Sequence, residues 1–164
     1  MSKQFIIFFG VGVVAVVLAV VGILSYTKGS HLVLQGQILK IRTGALSDSD
    51  SVAVLDFRVT NPSDLPFVVR QVEVSLEKPN GEMIEGNNVV KEDLKQLFQY
   101  NRFLGERYND GLAIKDTIPA HSTVDRMLAV RFDVNDRDLE SAKALHLSIQ
   151  DMDGPLFETS RSIK

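Results

Sequence analysis

The three histidines are the side chains best suited to metal binding or proton transfer, and they are widely separated in the sequence. They are His31, His121 and His146, and no second histidine or glutamate lies at the helical spacing that brings two ligands together. The chain has no cysteine, which excludes disulfides, thiolate ligands and thiolate nucleophiles. We therefore predict that no metal site and no catalytic site is built on these side chains.

Two acidic turns resemble fragments of a calcium-binding loop. The first runs from Asp133 through Asn135 and Asp136 to Asp138, and the second is Asp151-Met152-Asp153-Gly154. A complete loop surrounds the cation with alternating oxygen ligands, with a glycine at its sixth position and a bidentate glutamate at its end. The first turn lacks that glycine and the second lacks most of the ligands. Both therefore favour ordinary turns at strand ends over calcium sites.

The spacing Gly10-x-Gly12-x-x-Ala15 resembles the phosphate-binding turn of a dinucleotide-binding fold. Such a turn needs an amphipathic helix after it and an acidic residue about 20 positions further on for the ribose. Residues 16–24 carry no polar side chain, and the first acidic residue of the chain is Asp48. No Gly-x-Ser-x-Gly or Gly-Lys-Ser/Thr motif occurs either. The sequence predicts no cofactor, no small-molecule substrate and no enzymatic activity.

Aromatic residues between positions 100 and 108 are the strongest candidates for a binding surface. Tyr100, Phe103, Leu104 and Tyr108 lie beyond the apolar stripe of a helix predicted over about residues 88–104. Aromatic side chains outside a core often mark protein interfaces. Two interpretations stay open: these residues bind a protein partner, or they fold over the edge of the domain as a satellite core.

The N-terminal segment is predicted to cross a membrane. Residues 5–24, FIIFFGVGVVAVVLAVVGIL, contain only apolar residues and glycine, and 20 residues of helix span about 30 Å of hydrocarbon. We predict a head over residues 1–4, a signal-anchor helix embedded in the lipid bilayer over residues 5–25, and a linker over residues 26–30. Lys3 favours a cytoplasmic N-terminus and an extracytoplasmic domain in the cell membrane. A cleaved signal peptide is the alternative, although its apolar run is usually shorter.

The remaining residues, 31–164, are predicted to form one mainly β domain. Without Lys3, the 18 basic residues become 17 against 21 acidic ones, and this acidic balance argues against nucleic acid as a partner. In Val52–Thr60, alternate residues from Ala53 to Val59 are apolar, which is typical of a half-buried strand whose other face carries Asp56. Further strands are predicted at Leu32–Arg42, Phe67–Glu77, Glu82–Glu85, Leu112–Ile118, Val124–Phe132, Leu145–Ile149 and Leu156-Phe157.

One helix interrupts the predicted strands. It runs from about Val89 to Leu104, and Asn87 or Asn88 could cap it. About seven strands with turn signals predict an immunoglobulin-like β-sandwich with this helical insertion.

Two stretches of the sequence resemble a known family. Residues 54–67, VLDFRVTNPSDLPF, are followed by Val72–Leu76 and Asn80-Gly81, and the second stretch is Ile118–Val124, IPAHSTV. These stretches are similar to the water-stress and hypersensitive-response domain, also called late-embryogenesis-abundant type 2. The second is also similar to telokin-like accessory domains of bacterial envelope proteins. The resemblance implies an immunoglobulin-like, non-catalytic domain, often behind a single membrane helix, with a protective or adhesive role.

These features predict a non-enzymatic, single-pass, membrane-anchored β-sandwich. It would act as an interaction module of the cell envelope, with an unidentified protein partner, or as a stress-protection module. An alternative is an accessory subunit of a larger membrane complex for transport or secretion. An envelope hydrolase or small-ligand binder is a third hypothesis, and a pocket with convergent titratable groups would be its signature.

Overall fold

The chain divides into two units, Met1–His31 and Leu32–Lys164. A computed structural model describes residues 12–21 of the first unit, which form a helix, α1, and residues 34–163 of the second. Within these described ranges, none of the helices combines the length and the apolar composition that a membrane span requires.

The structure describes only part of the predicted membrane span. The predicted span over residues 5–25 shares only residues 12–21 with the described part of the chain, and those residues are helical. The predicted head, residues 1–4, and the predicted linker, residues 26–30, lie outside the described residues. The signal anchor therefore stays a prediction.

The second unit is a mainly β domain with two antiparallel sheets, which confirms the predicted sandwich architecture. The first sheet has the order β1-β2-β7-β5, and the second has the order β4-β3-β8-β9, with β6 paired to β3. The strands are β1 (Gln35–Ala45), β2 (Ser51–Asn61), β3 (Phe67–Glu77), β4 (Met83–Glu85), β5 (Asn87–Asn88), β6 (Thr117–Ile118), β7 (Ser122–Phe132), β8 (Ala144–Asp151) and β9 (Leu156–Ser162). Helices α2 (Leu94–Tyr100) and α3 (Asp136–Glu140) and a 3₁₀ turn (Arg102–Leu104) complete the described elements.

The main core lies between the two sheets and follows the predicted alternation. Strand β2 contributes Ala53, Leu55, Phe57 and Val59, all fully buried, and the second sheet contributes apolar residues of β3, β8 and β9. Burial of alternate apolar side chains is what fixes the register of each strand, because a shift by one residue would turn them towards solvent.

Strand β2 is also buried on its other face, which the alternation does not predict. Val52 and Val54 are fully buried there, and Asp56 is 4% exposed instead of facing solvent. The reason is a second hydrophobic core on the outer side of the first sheet, formed by the polypeptide that follows β5.

The predicted helix over residues 88–104 is wrong in its length and its cap. Asn87 and Asn88 form strand β5 and pair with β7, and the Asn88 side chain donates a 2.7 Å hydrogen bond to the Val72 carbonyl. Helix α2 starts only at Leu94 and has seven residues, without a side-chain cap from Asp93. Backbone pairing with the sheet therefore prevails over the helical periodicity of the first part of this segment.

The predicted strand Leu112–Ile118 is reduced to the two residues of β6. Lys115 has a positive φ of 71°, which interrupts the extended backbone between Leu112 and Thr117. The Asp116 carboxylate accepts a 2.9 Å hydrogen bond from the Ala113 amide and closes a turn instead.

Candidate functional site

The candidate site lies on the insertion, which we define as residues 89–111. It covers the outer face of the first sheet and packs against β2 and β7. The second core contains apolar side chains from the sheet and from the insertion. Its buried members are Val52, Val54, Leu94, Leu104, Met127 and Ala129, and the partly buried Leu46, Val89, Leu97 and Phe98 pack around them. The insertion is therefore a packed part of the domain.

A buried arginine of β1 fixes the part of the insertion that follows α2. Arg42 Nη1 donates hydrogen bonds to the carbonyl oxygens of Leu104 at 2.6 Å and Glu106 at 2.8 Å. Its Nη2 bonds Asp56 Oδ2 at 2.7 Å, and the two side chains are only 9% and 6% exposed. A guanidinium group can make these contacts together because its donors are arranged in a rigid planar fork.

Aromatic rings pack against the same guanidinium group. Its central carbon lies 5.4 Å from the centroid of the Phe98 ring and 5.2 Å from that of the Tyr108 ring, within the range of cation–π contacts. Asn109 Nδ2 donates a 3.0 Å hydrogen bond to the second carboxylate oxygen of Asp56. Both ends of the ion pair are thus tied to the insertion.

A second anchor holds the insertion at the end of β1. Asn101 Nδ2 donates to the Ala45 carbonyl at 2.9 Å, while Asn101 Oδ1 accepts from the Phe103 amide at 3.1 Å. Gly44 permits this close approach, because a Cβ at that position would lie 2.8 Å from Asn101 Nδ2. The 3₁₀ turn is consequently fixed to the sheet on both sides of Phe103.

The side chains predicted as a partner surface divide into exposed and buried residues. Phe103 is 95% exposed, Tyr100 80% and Tyr108 61%. Leu104 is fully buried in the second core, so its assignment to an exposed surface is wrong. Adjacent residues of a 3₁₀ turn point about 120° apart, which explains why Phe103 faces solvent while Leu104 faces the sheet. We call Tyr100 and Phe103 the aromatic tip.

Sequence reasoning did not identify Arg42 and Asp56 as the residues that position this surface. The signal lies in the β1–β2 hairpin, where Arg42 pairs with Val54 and is therefore diagonal to Asp56. Diagonal neighbours on one sheet face are within reach of long side chains. A hairpin register derived from the loop after Ala45 would have brought these two charges together.

The remaining predicted or excluded site residues are dispersed. His31 is outside the described residues, exposed His121 bonds Asp64 at 2.8 Å, and His146 bonds Glu77 at 2.9 Å. Asn135 caps α3 through a hydrogen bond from the Asp138 amide, and Asp151 ends β8. Within residues 12–21 and 34–163, no three side chains of the metal-ligating types are grouped as a metal site would require.

Among the described residues, four carboxyl groups outside the insertion have lowered pKa values: Asp50, Glu77, Glu82 and Asp125. Hydrogen bonds from Ser47 and Arg131 lower the pKa of Asp50, and the bond from Arg58 lowers the pKa of Asp125. Lys143 and then His146 lower the pKa of Glu77 by hydrogen bonding to its carboxylate. Each shift has the same physical cause, because a neighbouring donor stabilises the ionised form.

The fold is similar to that of a solved bacterial protein. A candidate lipoprotein (ycdA) from Bacillus subtilis matches 81% of this chain with a TM-score of 0.50 and 14% sequence identity. The present chain spans only 37% of the length of that protein. At this identity, the likeness shows the β-sandwich fold alone.

Two further solved structures match with lower scores. A β-sandwich protein from Clostridium difficile has a TM-score of 0.42 and 11% identity, and the match covers 79% of this chain and 85% of that one. The archaellum periplasmic stator protein FlaG from Sulfolobus acidocaldarius has a TM-score of 0.33 and 11% identity, with 78% and 99% covered. No family model matches the chain and no curated relative matches it. The resemblance to the water-stress domain therefore stays a prediction.

Proposed function

We propose that this protein is a non-enzymatic, membrane-anchored β-sandwich of the cell envelope that binds a protein partner through its aromatic tip. The observation that carries the proposal is the 95% exposure of Phe103 on a turn that buried Arg42 and Asn101 hold in place. A large aromatic side chain in water forgoes the free energy that its burial would release, about 1.5–3 kcal/mol. Contact with a partner would recover that free energy.

The rigid support of the tip favours binding over a purely structural role. The second core already contains Leu94, Leu97 and Phe98, so Tyr100 and Phe103 are not needed to attach the insertion. A surface that is held in one geometry before binding loses less conformational entropy when a partner docks. Exposed aromatic residues on such a support are typical of interface hot spots.

The tip lies far from the point where the polypeptide enters the domain. Strand β1 starts at Gln35 and ends at Ala45, whose carbonyl receives the Asn101 hydrogen bond. Its 11 residues extend over about 35 Å at the usual rise of a strand. The tip therefore lies near the end of β1 that is opposite to Gln35, and its side chains are exposed there.

The finer assignments of the proposal rest on sequence resemblance. The similarity of residues 54–67 to the water-stress domain supports an immunoglobulin-like class and a non-catalytic role. The apolar composition of residues 5–24 supports the signal anchor and the extracytoplasmic location. The similarity in fold to a candidate bacterial lipoprotein is in keeping with an envelope protein.

Affinity purification of the full chain from detergent-solubilised membranes tests this function. We compare the wild type with the double variant Tyr100→Ala/Phe103→Ala and with a control, Leu65→Ala/Met152→Ala, whose side chains are 48% and 53% exposed outside the insertion. We expect the tip variant to lose at least about tenfold of a specific co-purifying protein, since hot-spot truncation costs 2 kcal/mol or more. The melting temperature of the tip variant should remain close to that of the wild type. The control variant should recover the co-purifying protein as the wild type does.

Equal recovery of that protein by the wild type and the tip variant would contradict the proposal. Absence of the protein from the membrane fraction would contradict the anchor. A stable band of several different proteins on a native gel would identify the partner surface as part of a larger transport or secretion assembly.

A further inference from the structure

The outer face of the second sheet differs from that of the first because no described residue of the chain covers it. Strands β4, β3, β8 and β9 form a concave groove there with a volume of about 680 Å³. The insertion fills the equivalent position on the first sheet. The domain therefore has one sheet face that it covers itself and one that is open to a ligand.

The cross-strand register places polar side chains in rows across this groove. One row contains Glu85, Ser75, His146 and Ser160, from β4 through β3 and β8 to β9. The neighbouring row contains Glu73, Ser148 and Glu158. Hydroxyl groups at the row centres offer donors and acceptors for a polypeptide backbone, while carboxylates stand towards the sides of the groove.

The carboxylates that line the groove have no cationic partner among the described residues. Its lining among the described residues contains three glutamates and no lysine or arginine. Glu85 and Glu158 have no hydrogen bond or ion pair with any described side chain, and Glu73 accepts only from Gln71. By contrast, Asp50 and Asp125 are each paired with an arginine. Among the described lining residues, His146 alone carries a titratable nitrogen, and its Nε2 bonds the Glu77 carboxylate.

We propose that this groove binds an extended, basic segment of another protein, with lysine or arginine at alternate positions. This site is on a different sheet from the aromatic tip and does not depend on it. The positively charged side chains pair with Glu73, Glu85 and Glu158, and the segment's backbone bonds the central hydroxyl groups.

The dimensions of the sheet match such a segment. Glu73 on β3 and Glu158 on β9 are separated by two strand spacings, or about 10 Å. Glu85 on β4 lies three strand spacings from β9, or about 14 Å. Alternate residues of an extended segment are about 7 Å apart and point to the same side. Three basic residues at alternate positions of the segment therefore extend over about 14 Å, which is the width of the groove.

Peptide binding to the full chain in a non-ionic detergent tests this site. The probe is a ten-residue peptide that alternates lysine with serine, and titration calorimetry compares it with a peptide that alternates glutamine with serine. We expect binding of the lysine peptide alone, weakened by salt, and a loss of about tenfold in affinity in the variant Glu73→Gln/Glu85→Gln/Glu158→Gln. These exposed substitutions should leave the melting temperature close to that of wild type.

A charge-matched control separates the groove from general attraction to an acidic protein. The variant Glu92→Gln/Glu106→Gln/Glu140→Gln removes three exposed carboxylates outside the groove, and it should bind the lysine peptide as the wild type does. The proposal is overturned if the lysine peptide does not bind, if the neutral peptide binds equally, or if both variants lose affinity to the same extent. The variant Tyr100→Ala/Phe103→Ala should retain full peptide binding. A failure of partner binding through the aromatic tip can therefore be distinguished from a failure of peptide binding in the groove.

Discussion

At the scale of single residues, Arg42 and Asp56 link the sheet to the insertion. Both side chains are almost completely buried, and their ion pair is completed by Asn109 and by two carbonyl oxygens of the insertion. Removal of one partner from a buried pair leaves the other charge without compensation, which is costly in a medium of low dielectric constant. This arrangement explains why a charged residue stands in the centre of a sheet face.

We predict that Arg42→Met lowers the free energy of unfolding by about 3–5 kcal/mol, because Asp56 stays buried without its cation. Urea unfolding followed by circular dichroism measures this loss. The matched control is Arg58→Met, which breaks an exposed pair whose side chains are 52% and 36% exposed and should have a much smaller effect. Similar losses in both variants would show that the Arg42 pair is not a buried anchor.

The pH dependence of stability should reflect Asp50, Asp125 and Glu77. Their pKa values lie below the ordinary 3.8 of aspartate and 4.5 of glutamate, so the unfolded chain binds protons more readily than the folded one. The stability that these groups contribute is complete above those ordinary values and is lost as the pH falls through the lowered pKa values. Acid therefore favours unfolding.

We expect the melting temperature to fall as the pH decreases below about 4.5, and to fall less steeply in the variant Asp50→Asn/Asp125→Asn. Differential scanning calorimetry from about pH 3 to about pH 7 measures both profiles. An identical slope in the variant, or a wild type that becomes more stable in acid, would refute the assigned ion pairs.

At the scale of elements, the sandwich strands could be predicted because each has one face that alternates with period two. Strands β2, β3, β7 and β8 lie where that pattern places them. The insertion could not be predicted in the same way. Val90, Leu94, Leu97 and Phe98 fit a long helix, but the Val89 amide bonds the Ala129 carbonyl at 2.8 Å and keeps the start of the segment on the sheet.

The candidate site was predictable in composition and not in geometry. Tyr100, Phe103 and Tyr108 are exposed aromatic residues, as their position beyond the helical stripe indicates. The burial of Leu104 and the role of Arg42 depend on a 3₁₀ turn and on contacts between residues 62 positions apart, which local periodicity does not encode.

The glycine at the end of β1 provides a test of how the insertion is attached. In Gly44→Ala, the added methyl group would lie 2.8 Å from Asn101 Nδ2 and 3.4 Å from Leu104 Cδ2, so we expect the 3₁₀ turn to shift away from the sheet. Hydrogen exchange should increase at Asn101–Leu104 and remain unchanged in β3 and β8, which lie in the other sheet. Unchanged protection of the turn would contradict the proposed attachment.

At the scale of the whole molecule, the two sheets of the domain present different surfaces. The first sheet carries the insertion and its aromatic tip, and the second carries an open acidic groove. An anchor over residues 5–25 would restrict the domain to the membrane surface. A domain that is concentrated there and offers two separate surfaces would be suited to connecting two other proteins, in line with the proposed function.

Site-specific photo-cross-linking in intact cells tests whether the aromatic tip binds a protein partner. A photoreactive phenylalanine analogue replaces Phe103 of the full chain, and in a control chain it replaces Leu65, which is 48% exposed. We expect one discrete membrane-associated adduct from position 103, lost when Tyr100 is also replaced by alanine, and none from position 65. The absence of an adduct at position 103, or the same adducts from both positions, would contradict the claim that the aromatic tip binds a protein partner.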